Sequence, residues 1–85
     1  MKYKEQITLN RLRDLRKIAG VRQQDVADIL GFCTTDRISH WEKGSAVPSL
    51  VNLFRICAIY KVLPHDLYPE LFKTITSKIQ GEKEI

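Results

Sequence analysis

The 85-residue chain predicts an all-α fold, and three observations carry that expectation. Apolar residues recur at three- and four-residue steps along most of the chain, the period of a helix surface. Gly20, Gly31, Gly44 and Gly81 stand just past these periodic runs, where helices stop. No run alternates apolar and polar residues over the length that a half-buried strand needs.

Each element follows from local chemistry. Thr8 stands as an N-cap, its hydroxyl placed to accept from the first free amides of a helix. Ile7 and Leu12 are spaced to staple that start, and Leu9, Leu12, Leu15 and Ile18 line one face up to Gly20. A second helix runs from about Gln23 to Leu30, with Val26, Ala27 and Leu30 inward, Ile29 beside them and Gly31 as the stop. A third runs from about Thr35 to Lys43, capped by Thr34 or Thr35 and ended by Gly44. Its Ile38 and Trp41 face inward. Pro48 closes the following loop, and Ser49 caps a fourth helix carrying Leu50, Leu53, Phe54, Ile56 and Cys57 inside, to about Tyr60-Lys61. Pro64 suits the first turn of a short fifth helix, His65 to Tyr68. Beyond Pro69, Leu71, Phe72, Ile75 and Ile79 repeat at helical spacing before Gly81, and the tail from Glu82 to Ile85 is expected to fray.

Size and composition narrow the function classes. The chain fits a single domain, with a core over residues 8–68 and a C-terminal helix or tail over 69–85. Folding buries about 60% of the surface of so short a chain, too little to enclose a deep substrate cleft. No nucleophile–base pair, metal-ligand set or phosphate loop is present, so neither an enzyme nor a cofactor is expected. Cys33 and Cys57 form no CxxC, and His40 and His65 stand at no zinc spacing from them. Cys57 reads as a small buried hydrophobe. No apolar run approaches the roughly 20 residues of a membrane span, and the polar start of the chain has no signal-segment pattern. The expected location is cytoplasmic.

The net charge of +4 is unevenly placed: residues 1–20 sum to +4, residues 21–48 to −1 and residues 49–85 to +1. A basic balance favours nucleic acid, though only mildly at this magnitude.

The segment VRQQDVADILGFCTTDRISHWEKG, residues 21–44, is the most informative. Two short helices joined by a tight turn, the second polar on one side and apolar on the other, suit insertion of a helix into the major groove. Together with LRDLRK before it and PSLVNLFRICAIYKVLPHDL after it, this segment resembles the lambda-repressor and Cro type of helix-turn-helix domain, the Xre family, from about Leu9 to Tyr68. The resemblance implies a compact five-helix lambda-repressor-like bundle, to which this chain would add a short C-terminal helix, and a transcriptional regulator, often dimeric. It implies that Gln23 holds a DNA phosphate and braces the third helix. Arg16 and Glu42 would be a structural pair, and Thr35, Asp36 and His40 would meet base edges. The stretch from Phe32 to Arg37 is one residue longer than the family's usual spacing, which keeps Thr34 as a further candidate.

The residue chemistry supports these roles. Short polar side chains near a helix N-terminus reach the groove floor. Thr35 can donate, accept or touch a thymine methyl; Asp36 can accept from cytosine N4 while repelling phosphate; His40 can donate to guanine. Gln23 and Gln24 lie at a helix N-terminus, which attracts a phosphate. Arg22, Arg37 and Lys43 could reach the DNA backbone from the flanks, as could Lys2 and Lys4, and Ser39 shares the polar side. The stripe Leu71, Phe72, Ile75 and Ile79 has two readings: it covers the chain's own core, or it pairs with a second copy.

Two functions compete. The first is a sequence-specific double-stranded DNA-binding regulator, a repressor or an antitoxin whose partner is a small toxin. The second is a protein-interaction module of the same fold without DNA binding, which the acidic tilt of residues 21–48 favours.

Overall fold

The computed structural model describes residues 7–83. Lys2, Lys4 and the last two residues of the tail lie outside the described residues. Six helices and no strand are found among those described: α1 (Leu12–Ile18), α2 (Gln23–Leu30), α3 (Asp36–Lys43), α4 (Leu50–Tyr60), α5 (Pro64–Leu67) and α6 (Pro69–Lys83). The core joins Leu12 of α1, Val26, Ala27 and Leu30 of α2, Ile38 and Trp41 of α3, Ile56 and Cys57 of α4, and Leu67 of α5. Cys57 is buried, which pushes its thiol pKa up, and Cys33 is exposed.

Helix α1 starts later than its sequence suggests, and Thr8 does not cap it. The Asn10 carboxamide does that work: Oδ1 accepts from the Leu12 amide at 2.9 Å, while Nδ2 donates to the carbonyls of Thr8 and Trp41 at 2.9 and 3.0 Å. One side chain thus closes the start of α1 and ties it to a carbonyl in the last turn of α3, which also accepts from the Gly44 amide at 3.1 Å. Ile7, Leu9 and Ile18 are exposed, so neither the staple nor the full leucine stripe forms. The reason is geometric. A strict three-residue step drifts by about 60° each time around a helix, so Leu9 and Ile18 cannot share a face. The inward line of α1 runs instead through Leu12 and Arg16, four residues apart.

The two glycine stops at Gly31 and Gly44 both adopt left-handed φ of 83° and close α2 and α3. Helix α3 begins at Asp36, one residue after the expected Thr35. The Thr35 side chain caps nothing, whereas Thr34 Oγ1 accepts from the Asp36 amide at 3.3 Å. Ser49 caps α4 by accepting from the Asn52 amide at 3.2 Å. Leu50 and Phe54 of α4 and Ile29 of α2 point to solvent, not inward. Lys61 ends α4 in the left-handed region, at φ 61°.

Helix α6 is the largest departure. It spans 15 residues, runs straight through Gly81 and includes Glu82 and Lys83, where a fraying tail was expected. Gly81 keeps helical backbone here, since no left-handed turn is needed where the chain simply continues. Leu71, Phe72, Ile75 and Ile79 all remain 44–55% exposed, so α6 does not cover the core. Its foothold is α5, where the His65 and Phe72 rings lie 5.3 Å apart.

Two substitutions test this backbone in opposite directions. A Cβ on Gly44 would sit 2.5 Å from the Thr8 carbonyl oxygen and 2.8 Å from Ile7 Cγ2, in addition to the unfavourable φ. Gly44→Ala is therefore expected to destabilise by more than about 1 kcal/mol. Lys61→Gly removes a left-handed penalty and is expected to stabilise by up to about 1 kcal/mol. Urea midpoints of the two variants check both signs.

Candidate nucleic-acid interface

Helix α3 presents two sides. Ile38 and Trp41 are 2% and 4% exposed, while Asp36, Arg37, His40 and Lys43 are exposed and Ser39 half-buried. Positions 36, 40 and 43 share one stripe because four- and three-residue steps return to the same face. That stripe lies opposite Ile38. Thr34 is exposed and Thr35 half-buried in the turn just before the helix.

A buried ion pair holds α3 at this angle. Arg16 Nε donates to Glu42 Oε2 at 2.5 Å and Nη2 to Oε1 at 3.3 Å, with the two side chains only 10% and 5% exposed. Nη1 also donates to the Val21 carbonyl at 3.0 Å. The Glu42 contact holds the guanidinium pKa above its ordinary value against the opposing effect of burial. Gln23, the first residue of α2, donates from Nε2 to Glu42 Oε1 at 2.9 Å. One carboxylate thus ties α3 to both α1 and α2. The Tyr60 phenol lies near this group; burial first, then the Glu42 charge, pushes its pKa up.

Above the pair lies an open cleft lined by Arg13, Arg16, Gln23, Ser39, Glu42 and Lys43. With Arg16 engaged inside, its outer cations are Arg13 and Lys43, both exposed. They stand beside the N-terminus of α2, whose free amides and dipole favour an anion. The sequence reading overlooked Arg13; its place three residues before Arg16 on the same helix is the signal that could have found it.

The other candidates are placed differently. Gln24 is exposed, and its Nε2 donates to Asp28 Oδ1 at 2.8 Å. Arg22 is spent on Asp25, with Nη2 to Oδ1 at 2.8 Å and its backbone amide to Oδ2 at 2.8 Å. Asp25 thereby supplies the reciprocal half of a capping box where no Ser or Thr precedes the helix. The Arg37 guanidinium lies over an aromatic ring, with Cζ 4.2 Å from the centroid of Phe32. Phe32 is a second residue that the sequence reading left without a role. No cluster of His, Cys, Asp or Glu able to hold a metal occurs among the described residues.

A protein-family model described as a helix-turn-helix domain matches residues 10–71, most of the chain. The chain belongs to this family. It is an Xre/Cro-like helix-turn-helix domain, of a family that binds DNA and is typically non-enzymatic. No match was found among curated proteins or among solved structures. None of the described helices is long and apolar enough to cross a membrane.

Two measurements probe the support of α3. Removing one member of a buried ion pair strands the other, so Arg16→Ala is expected to cost about 3–5 kcal/mol in chemical unfolding. The Arg16→Ala/Glu42→Ala double variant should lose less than the two single losses summed. The second concerns pH. The Arg22 guanidinium and backbone amide hold the Asp25 carboxyl down at about 2, below its ordinary value of 3.8. A depressed carboxyl contributes its stability above the unfolded-state value and loses it as pH falls through the folded one. The stability gap between the wild type and Asp25→Asn should therefore be constant near neutrality, shrink below about pH 4 and vanish near pH 2, as read by thermal melts across that window.

Proposed function

We propose that the protein is a sequence-specific double-stranded DNA-binding transcriptional regulator of the cytoplasm, acting as a repressor by occluding a promoter. The observation that carries this reading is the division of α3: Ile38 and Trp41 are buried while Asp36, His40 and Lys43 share a solvent-facing stripe beside a basic cleft. In this reading α3 enters the major groove. Thr34, Thr35, Asp36 and His40 meet base edges: Asp36 takes cytosine N4, His40 takes guanine, and the Thr35 methyl meets thymine. Gln23, Gln24, Arg13 and Lys43 hold the phosphate backbone, with Ser39 at the cleft rim.

Helix α6 supplies the second half of the reading. Its residues Leu71, Ile75 and Ile79 recur at four-residue steps, with Phe72 beside them, and together they leave a half-exposed apolar stripe. Pairing of α6 with α6 of a second copy would bury the stripe in both chains at once, because a two-fold contact is self-complementary. Such a dimer would present two copies of α3 about 34–36 Å apart to successive major grooves.

Selection from random duplexes followed by sequencing tests the whole reading. The expected product is a near-palindromic motif, bound with an affinity whose logarithm falls with log salt by about 0.9 per phosphate contact. His40→Ala should change the preferred base at one position of each half-site, and Lys43→Ala should weaken all sequences alike. Ile75→Lys should give a monomer by sedimentation and lose the palindrome. A chain that enriches no motif would sink the reading in favour of a protein-interaction module.

A further inference from the structure

Among the described residues, Arg13 and Arg37 are the arginines whose guanidinium makes no hydrogen bond or ion pair; Arg11, Arg16, Arg22 and Arg55 each hold a partner. The two stand on opposite flanks of α3. Successive helical residues turn by about 100°, so with Ile38 pointing inward its neighbours 37 and 39 leave the helix on opposite sides. Ser39 borders the cleft that contains Arg13. Arg37 therefore faces away from that cleft, toward the other wall of any groove that α3 enters.

Arg37 is also held in place, though by no acid. Its guanidinium lies 4.2 Å from the Phe32 ring centroid and 5.9 Å from that of Trp41. Phe32 is in turn locked edge-on against buried Trp41, with centroids 5.9 Å apart and planes at 70°. A guanidinium held over a ring by cation–π attraction spends none of its N–H donors, and the contact restricts its rotamers before any partner arrives. An arginine fixed this way meets an anion at a lower entropic cost than a free side chain.

We propose that Phe32 is a positioning residue that stacks Arg37 for contact with a backbone phosphate on the groove wall opposite the Arg13–Gln23–Lys43 cleft, so that α3 is gripped from both sides. The proposal rests on the DNA-binding reading above. The observations favour phosphate over a base edge, because residue 37 leaves the helix about a quarter-turn away from the Asp36–His40 stripe. Phe32 has no contact with DNA in this scheme and acts only through Arg37.

A double-mutant cycle on the duplex that the wild-type chain selects tests it, at a temperature where circular dichroism shows every variant folded. Arg37→Ala should weaken binding roughly ten-fold on every duplex and reduce the salt slope by about 0.9. Arg37→Lys should keep the slope and lose part of the affinity, since a lysine carries the charge without the planar fork. Phe32→Leu should lose a few-fold, the scale of immobilising one long side chain, and Phe32→Tyr should restore it. With Arg37 already Ala, Phe32→Leu should cost nothing further. Equal Phe32→Leu losses in the presence and absence of Arg37 would overturn the positioning role. An Arg37→Ala effect confined to one base pair, or no effect, would overturn the phosphate contact; because Arg37 is exposed, that variant is informative even if Phe32→Leu fails to fold. Absence of DNA binding by the wild type would instead mark the failure of the underlying reading.

Discussion

The Glu42 carboxylate is the point on which the position of α3 turns. It draws Arg16 from α1 and Gln23 from α2 onto a single acceptor group, so three helices share one electrostatic anchor. Such a pair does little for net stability, because the cost of stripping water from both ions offsets most of their attraction. Its value is directional. An apolar contact tolerates sliding, whereas two hydrogen bonds from a planar guanidinium to one carboxylate fix an angle. The core residues Ile38 and Trp41 determine that α3 is buried on one side; Glu42 determines which way the opposite side looks. The far end of α3 is fixed separately, by the Thr8 amide on the Gly44 carbonyl and by Asn10 on that of Trp41. A helix anchored at side and end in this way has little freedom to rock.

The same pairing changes the meaning of the charge count. Residues 21–48 sum to −1, which on paper argues against DNA. Glu42 is buried on Arg16, a cation outside this stretch, so its charge is cancelled from elsewhere, while Asp25 and Arg22 cancel within the stretch. Asp28 lies on α2 and accepts from Gln24. Asp36 alone among them stands on the outward stripe of α3. Opposite these spent acids stand Arg13, Arg37 and Lys43, exposed and without an acid partner among the described residues. The field that a phosphate backbone would meet is therefore more positive than the formal sum suggests. A buried carboxylate such as Glu42, neutralised by its partner, counts in a sequence total but contributes little at the surface.

What the sequence revealed and what it hid divide along a physical line. Helix α2, the inward residues of α3 and the stops at Gly31 and Gly44 depend on local period and backbone chemistry, and these were legible. The start of α1 was not, because Asn10 competes with Thr8 through a long-range bond to Trp41, 31 residues away. The exposure of Leu50, Phe54 and Ile29 was equally hidden. An apolar residue in a helix shows that a face exists without showing whether another element reaches it. At the candidate interface, the outward positions of α3 followed from period, and Arg13 was open to the same argument from its spacing to Arg16, while Phe32 became visible only once the turn was placed against α3.

The turn from Gly31 to Thr35 joins these points. It must lead from the left-handed Gly31 into α3 without disturbing the inward Ile38. The backbone meets this by starting α3 at Asp36 and keeping Thr34 and Thr35 outside the helix. Phe32 then tucks its ring against Trp41 at the base of the turn, making an edge-to-face contact that anchors the turn to the core. Without such a contact the turn would have more conformations to lose on meeting a partner. The ring's outer face is left for Arg37. The turn between α2 and α3 thus brings an aromatic surface and an arginine together on one flank of α3.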